Sequence, residues 1–333
     1  MKNQSVEKLM LNAGDVVFYQ YHPIFGFWGV PNIERDVRFT GMNNNYVRVR
    51  HNSEGNRDKP LTKERKEGRI LCFGGSHTWG AGTDQERRYT EYLEKMTEKQ
   101  VLNFGHCSFG LDQIFLAILE MSTSYNPSLI IVEQYPWAVH RVLNTYVNGY
   151  TRPYFYLDGS GTLKFKKMSS FSRFRLIRRI LGSFYTYRKE FREFKAGIDL
   201  KDKYDPLADP IFLYWKMPYY DYMYNLVDRI LGSMQDFCRQ KGIRLMFGLE
   251  PIMQQFGQKS PSALIDYELP RKRIMKILEK YRIACIDMSE AMMNEHSADD
   301  PVVFNDGHMN EKGHRIFARE IVRNLEKRQW LNV

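Results

Sequence analysis

The sequence predicts an α/β protein of three layers, in which helices cover both faces of a parallel five-stranded sheet. Five short apolar runs recur along the chain, helix-compatible stretches separate most of them, and the first run ends in a glycine-rich turn. Apolar runs of this length indicate buried strands, and their alternation with helices indicates parallel pairing. Ligands of such sheets bind beyond the carboxyl ends of the strands, so we expect a site in the turns that follow them.

Each predicted strand is a run of apolar residues that a turn or a polar stretch ends. The five runs are RILCF (69–73), QVLNFG (100–105), SLIIVEQY (128–135), GIRLMFGLE (242–250) and RIACIDMS (282–289). Apolar residues at helical spacing predict a helix in LDQIFLAILEMSTSY (111–125), and NEKGHRIFAREIVRNLEKR (310–328) is predicted to be the last, amphipathic helix.

Two segments depart from this alternation. Residues 1–66 are predicted to form an N-terminal β-rich extension, because β-branched and aromatic runs such as DVRFTGM and YVRVRHN are separated by turn residues. Residues 67–333 are predicted to form the α/β domain. Within it, residues 145–225 are rich in Tyr, Phe, Arg and Lys and are predicted to form a helical, basic cap insertion between the third and fourth strands.

The net charge of +10 is concentrated in this insertion, since residues 164–195 carry eleven Lys and Arg against two Glu. The remainder is close to neutral, which argues against a general nucleic-acid-binding surface. Two interpretations of 164–195 stay open. The segment is a cap helix with solvated charges, or it is a peripheral contact for an acidic carrier or an anionic membrane.

The chain is expected in the cytoplasm. Its N-terminus has no apolar signal-peptide core, and no apolar run approaches the roughly 20 residues of a membrane-spanning helix. The four cysteines show no CxxC spacing, so they suggest neither a metal site nor a disulfide framework.

Two short clusters carry residues with chemical potential. RILCFGGSHTWGAG (69–82) places Ser76 just beyond the first strand, where a nucleophile could use backbone N–H groups at a helix start. The alternative is a simple strand-ending turn. NDGHMNEKGH (305–314) places Asp306 and His308 before the last helix, where Asp can orient His as a general base. A solvated turn is the alternative there.

Together these clusters resemble the first and last blocks of the SGNH (GDSL-type) hydrolases and the related O-acyltransferases. VLNFGHCSFGLDQ (101–113) resembles the second block, and RHNSEGNRDKP (50–60) resembles an N-x-x-G-x-R element found upstream in bacterial members. The resemblance implies a flavodoxin-like fold with Ser76 as nucleophile, His308 as base and Asp306 as its partner. It implies no metal and no organic cofactor, and Gly75 stands where Asp is commonest.

The oxyanion hole implied by the resemblance is altered in this chain. By spacing, Ser108 replaces the glycine that offers a backbone N–H, with Gly110 beside it. The third block, LIIVEQYPWAVHR (129–141), lacks its Asn. Trp137 occupies that place by spacing, and Gln134 is the nearest amide; the Trp137 indole and His140 are other candidate donors.

The expected function is therefore serine-dependent ester chemistry on a small-molecule or glycan ester, with an acyl-Ser76 intermediate. The enzyme would act as an esterase or deacetylase, or as an O-acyltransferase. The alternative is a catalytically weakened SGNH fold that binds a carbohydrate or an acyl chain, which the loss of the Asn and the Gly favours and the retention of Ser76, Asp306 and His308 opposes.

Overall fold

The computed structural model describes residues 11–12, 16–40, 42, 46–62, 64, 68–147, 149–174, 217–256 and 266–331. The strands, in chain order, are β1 (Leu11–Asn12), β2 (Tyr19–His22), β3 (Gly26–Gly29), β4 (Glu34–Arg38), β5 (Tyr46–Arg50), β6 (Ile70–Gly74), β7 (Val101–Gly105), β8 (Leu129–Gln134), β9 (Tyr146–Val147), β10 (Tyr150–Thr151), β11 (Tyr154–Leu157), β12 (Leu163–Lys166), β13 (Arg244–Leu249) and β14 (Ala284–Asp287). The α-helices are α1 (Ser76–Trp79), α2 (Tyr89–Thr97), α3 (Leu111–Tyr125), α4 (Met217–Gln240), α5 (Leu269–Lys280), α6 (Ser289–Glu295) and α7 (Glu311–Lys327).

The central sheet is parallel and has the strand order β14-β13-β8-β6-β7. Its five strands lie in the five predicted apolar runs, so the predicted fold class is confirmed. Cys72 of β6 pairs with Asn103 on one side and with Ile131 on the other. This order sets the carboxyl ends of β6, β8 and β13 side by side at one edge of the sheet.

Helices cover both faces of the sheet and create two apolar cores. Residues of α3, α4 and α5 line the first core, and residues of α2, α6 and α7 line the second. Successive strand side chains point to opposite faces. Leu71 and Phe73 accordingly lie in the first core, while Ile70 and Cys72 lie in the second.

The described part of the N-terminal extension contains five short strands joined by turns and loops, which agrees with the β-rich character expected from the sequence. β2 and β3 form a hairpin, and β5 pairs antiparallel with β4, which pairs parallel with β1. Val37, Phe39, Val47 and Val49 build a small separate core with Trp79 of α1. The extension therefore packs against the short helix that follows the first strand of the central sheet.

The described part of the predicted insertion begins as strand and not as helix. β9 pairs with β10 and β11 pairs with β12, so residues 146–166 form two antiparallel hairpins. Phe155 of β11 packs on Phe115 of α3, with ring centroids 5.5 Å apart. The predicted basic helix, from residue 175 onward, lies outside the described residues, and so does most of the surface expected to meet an acidic partner.

Within the described ranges, no helix combines the length and the apolar character needed to cross a bilayer. All four cysteines are free thiols, and Cys72 and Cys238 are buried.

Candidate active site

The turn after β6 gives Ser76 its position. Ser76 is the first residue of α1, and the strand ends two residues earlier at Gly74. A side chain at Gly74 would collide with Thr78 Oγ1 and with the Glu133 carboxylate. Gly80, with a φ of 85°, ends α1 in the left-handed conformation that favours glycine. The glycines therefore permit a tight strand-to-helix turn with Ser76 at its apex.

The structure brings Ser76, His308 and Asp306 together in one chain of hydrogen bonds. His308 Nε2 lies 2.7 Å from Ser76 Oγ, and His308 Nδ1 lies 3.0 Å from Asp306 Oδ2. The backbone N–H of His308 also donates to Asp306 Oδ1, at 3.1 Å. The three residues predicted from the first and last blocks thus have the geometry of a nucleophile, a base and the carboxylate that orients the base.

The environment keeps this base uncharged near neutral pH. Burial lowers the pKa of His308 below its ordinary 6.5, the hydrogen bond to Asp306 opposes this, and the charges of His77 and Arg141 lower it further. Burial alone would raise the pKa of Asp306, but its hydrogen bonds with His308 hold that pKa below the ordinary 3.8. A neutral imidazole beside an ionised carboxylate is the state that accepts a proton from serine.

Two backbone N–H groups near Ser76 are free to bind an oxyanion. Among the described residues, neither the N–H of Ser76 nor that of Ser108 has a protein acceptor. Ser108 has a φ of 65°, so it occupies the left-handed conformation in which glycine is usual. The turn thus keeps a glycine-like backbone although its residue is serine. The N–H of Gly75, by contrast, donates to Glu133 Oε2 at 3.1 Å.

The segment after β8 forms a 3-10 helix, Pro136–Leu143, that contains Trp137. The Trp137 ring packs edge-on against His140, with centroids 4.4 Å apart. Gln134 directs its side-chain Nε2 to the backbone oxygen of Tyr135, at 2.6 Å. The same 3-10 helix carries Arg141, whose Nη1 lies 3.2 Å from the position that a Cβ at residue 75 would take. Sequence reasoning did not single out Arg141.

Behind Ser76 lies a buried cluster of His77, Glu133 and Glu250. His77 Nδ1 is 2.6 Å from Glu250 Oε2, and the His77 ring stacks between those of His308 and Tyr135, at centroid distances of 4.6 and 5.2 Å. Glu133 accepts hydrogen bonds from the N–H groups of Gly75 and Thr78 and from Thr78 Oγ1. The cluster therefore supports both the turn and the base.

Burial is the main cause of the unusual titration of these carboxyl groups. It raises the pKa of Glu133 to about 7, helped by the neighbouring Glu250, and it raises the pKa of Glu250 to about 8. Glu250 is the last residue of the fourth predicted strand run, GIRLMFGLE. Glu133 was missed, although an acidic residue inside the apolar run SLIIVEQY was a signal.

Among the described residues, no cluster of His, Cys, Asp and Glu has an arrangement that would hold a metal ion.

The N-x-x-G-x-R element of the extension holds the C-terminal end of α1. Asn52 Oδ1 accepts the N–H groups of Glu54 and Asn56, which shapes the loop. The buried Arg57 guanidinium donates to the backbone oxygens of Trp79, Gly80 and Thr83. The extension therefore fixes the helix that begins at Ser76.

Solved structures of a G-D-S-L lipolytic protein and of two esterases are similar to this chain. A putative lipolytic protein of the G-D-S-L family from Desulfitobacterium hafniense DCB-2 is 9% identical, with a TM-score of 0.40 over 77% of this chain and 99% of its own. The acetyl xylan esterase AlAXEase is 9% identical, with a TM-score of 0.43 over 77% and 99%. Esterase EstA from Pseudoalteromonas sp. is 9% identical, with a TM-score of 0.41 over 80% and 100%.

No protein-family model and no curated protein matches the chain. The geometry of the site is therefore the basis on which its function is inferred.

Proposed function

We propose that this chain is a serine-dependent enzyme of acyl-ester chemistry. Its substrate class is an acylated carbohydrate or a similar small ester. The observation that carries the proposal is the continuous hydrogen-bond chain from Ser76 Oγ through His308 to Asp306, at the carboxyl end of β6. Ser76 comes from the beginning of the α/β domain, whereas Asp306 and His308 come from near its end. Ser76 is partly exposed and Asp306 is exposed, so both ends of the hydrogen-bond chain lie near the surface.

The reaction begins when Ser76 Oγ attacks the ester carbonyl carbon. A bond forms between Oγ and that carbon, the carbonyl electron pair moves onto its oxygen, and the Oγ proton passes to His308 Nε2. Asp306 stabilises the imidazolium that results. Collapse of the intermediate restores the carbonyl and breaks the bond to the leaving alkoxide, which takes the proton from His308. The product of this half-reaction is acyl-Ser76.

The second half-reaction decides between hydrolysis and transfer. His308 removes a proton from an incoming water or from a sugar hydroxyl, whose oxygen then attacks the acyl-Ser76 carbonyl. The bond between the acyl carbon and Ser76 Oγ then breaks, the carbonyl re-forms, and Oγ takes the proton back from His308. Water gives an esterase or deacetylase, and a hydroxyl acceptor gives an O-acyltransferase. The same three residues serve both outcomes, so the acceptor that reaches acyl-Ser76 determines the product.

A fluorophosphonate probe tests this function, because only a serine activated by a base displaces its fluoride readily. We expect one label per chain, mapped by mass spectrometry to the peptide that contains Ser76. Ser76→Ala and His308→Ala should abolish the label. Hydrolysis of p-nitrophenyl acetate should be lost in the same two variants.

His296→Gln is the matched control, since His296 lies in the loop before the last helix but has no contact with Ser76 among the described residues. It should retain labelling at the wild-type rate. Folded wild-type protein that takes no label, or a label that persists in Ser76→Ala, would contradict the enzyme and favour a carbohydrate- or acyl-binding protein built on the same fold.

A further inference from the structure

The guanidinium of Arg141 lies between the two turns that offer backbone N–H groups to an oxyanion. On one side, its Nη1 is 3.2 Å from the position that a Cβ at residue 75 would take, directly before the nucleophile. On the other side, the same Nη1 donates to the backbone oxygen of Phe109 at 3.3 Å, next to Ser108. A Cβ at Gly110 would lie 3.0 Å from the Cβ of Arg141. Small residues in both turns therefore admit this side chain.

The positive charge of Arg141 is not used in an ion pair with any carboxylate of the described residues. Arg152 makes an instructive contrast: its Nη1 donates to the Arg141 backbone oxygen at 2.9 Å, while its Nη2 lies 2.6 Å from the Asp112 carboxylate, fully buried. Arg141 instead acts electrostatically on the site, because its charge lowers the pKa of both His77 and His308. A cation so placed can respond to negative charge that develops beside Ser76.

Gly75 keeps this cation available. The resemblance to SGNH enzymes places Asp most often at this position, and an aspartate carboxylate there would lie beside the guanidinium and neutralise it. Gly75 has a φ of −87°, which any residue adopts, so backbone strain does not explain the glycine. The space that an aspartate would fill is next to Arg141.

We propose that Arg141 is a catalytic residue that donates the third hydrogen bond to the oxyanion, in place of the missing Asn of the third block. This inference rests on the proposed acyl-ester function. In the step that forms the tetrahedral intermediate, the carbonyl oxygen gains the electron pair and the negative charge. The N–H groups of Ser76 and Ser108 and the guanidinium of Arg141 bind that oxygen. Arg141 transfers no proton, and its bonds release the oxygen when the carbonyl re-forms.

The charge of Arg141 also balances the carboxyl groups behind the nucleophile. Glu133 binds the N–H of Gly75, one residue from Ser76, and Glu250 lies next to it. Negative charge there would oppose an oxyanion at the same turn. The positive charge of the Arg141 guanidinium offsets the negative potential of these two carboxyl groups, whereas the uncharged amide of an Asn would not.

The test compares Arg141→Gln and Arg141→Lys with the wild type in p-nitrophenyl acetate hydrolysis and in the rate of Ser76 labelling by a fluorophosphonate. We expect Arg141→Gln to lower kcat by about 10²–10³ with little change in KM, because an oxyanion donor acts on the transition state. Arg141→Lys keeps the charge but loses the planar, forked arrangement of N–H donors. Its kcat should be at least about tenfold higher than that of Arg141→Gln. Labelling rates should follow kcat.

A pH profile separates this role from a structural one. The Arg141 charge disfavours the protonated imidazole, so its removal raises the pKa of His308. The acid limb of kcat/KM in Arg141→Gln should therefore move to higher pH than in the wild type. Arg48→Gln is the control, since Arg48 is exposed on β5 and pairs with Glu34 and Asp36. It should leave kcat and the pH profile unchanged.

Two results would overturn the role of Arg141 and leave the proposed function standing. One is a labelled wild type together with a folded Arg141→Gln that keeps kcat within about threefold. The other is an Arg141→Lys that is folded and no more active than Arg141→Gln. A wild type that takes no label at Ser76 would overturn the proposed function itself, so the two failures are distinguishable.

Discussion

His77 Nδ1 lies 2.6 Å from Glu250 Oε2, and His77 directly follows Ser76 in the sequence. The His77 ring in turn stacks on His308, with centroids 4.6 Å apart. The buried His77–Glu250 pair therefore packs against the ring of the proposed general base. Because the Tyr135 ring stacks on the other face of His77, the His77 ring is held in position.

Glu250 should make the stability of the protein depend on pH. Its folded pKa, about 8, is raised above the ordinary 4.5 by burial. A carboxyl group with a raised folded pKa contributes stability that is complete below its unfolded pKa and is lost as pH rises through its folded pKa. The wild type should therefore become less stable as pH rises from roughly 5 to 8, by up to about 1.4 kcal/mol per pH unit. The Gln side chain of Glu250→Gln cannot titrate, so the free energy of unfolding of this variant should not show that loss.

Urea denaturation of both proteins across this range measures the difference directly. The difference between variant and wild type is the useful quantity, because buried histidines such as His106 and His314 have lowered pKa values and contribute the opposite slope to both. Glu120→Gln, which makes the same substitution at an exposed site on α3, is the control. A flat difference for Glu250→Gln would mean that this carboxyl titrates normally.

Asp306→Asn should reduce catalysis much more than it reduces stability. The substitution keeps the size of the side chain but removes the charge that stabilises the His308 imidazolium, and it favours the wrong imidazole tautomer. We expect kcat for p-nitrophenyl acetate to fall by about 10²–10⁴, with the melting temperature nearly unchanged because Asp306 is exposed. Asp299→Asn, in the same exposed loop, should behave as wild type. A loss smaller than about threefold in Asp306→Asn would remove Asp306 from the proposed mechanism.

The pH dependence of kcat/KM should report the lowered pKa of His308. Burial, together with the charges of His77 and Arg141, places that pKa below the ordinary 6.5 despite the opposing bond to Asp306. A general base works in its deprotonated form, so kcat/KM should rise with pH, reach half its maximum below pH 6.5 and be level at neutral pH. An NMR titration of the His308 ring gives an independent value. If the midpoint of the kcat/KM profile or of the NMR titration lay above about pH 7, the site would stabilise the charged His308 ring more strongly than burial destabilises it.

The central sheet and the three-residue chain were accessible from the sequence for physical reasons. A strand buried on both faces must be apolar throughout, so RILCF and SLIIVEQY are visible as local signals. Ser76 and His308 follow from position, since the turn after the first strand and the loop before the last helix lie at the same edge of a parallel sheet. Their 2.7 Å contact spans 232 residues.

Arg141 was not accessible in the same way. Its importance depends on the distance between the turn after β6 and the 3-10 helix after β8, and spacing along the chain does not encode that distance. Glu133 differs, because an acidic residue inside the apolar run of β8 is a local signal of a buried polar role. The sequence also carries a turn signal for the hairpin of β11 and β12, but the abundance of Tyr, Phe, Arg and Lys in residues 145–225 led to the prediction of helices there. Asp158, Gly159, Ser160 and Gly161 separate the short runs YFYL and LKFK. The N–H groups of Ser160 and Thr162 donate to Asp158 Oδ1, at 3.0 Å each.

Arg57 should be required for both stability and activity, although it lies in the N-terminal extension. Its guanidinium is buried and donates to the backbone oxygens of Trp79, Gly80 and Thr83, so one side chain satisfies three acceptors at the end of α1. Arg57→Ala would remove the guanidinium donor from all three oxygens. The Trp79 and Gly80 oxygens keep other donors, Arg88 Nη1 and the Thr83 N–H, whereas the Thr83 oxygen loses its side-chain donor. We therefore expect a loss of roughly 1–3 kcal/mol in urea denaturation.

Arg57→Lys tests whether Arg57 positions α1. Lysine keeps the charge but cannot reproduce the fork, so the variant should lose less stability than Arg57→Ala and still show a lower kcat, because α1 carries Ser76 at its start. Arg48→Ala removes an exposed arginine that pairs with Glu34 and Asp36, and it should cost about 1 kcal/mol or less. If Arg57→Ala proved as stable and as active as Arg48→Ala, the extension would be an independent attachment and α1 would hold Ser76 in place without it.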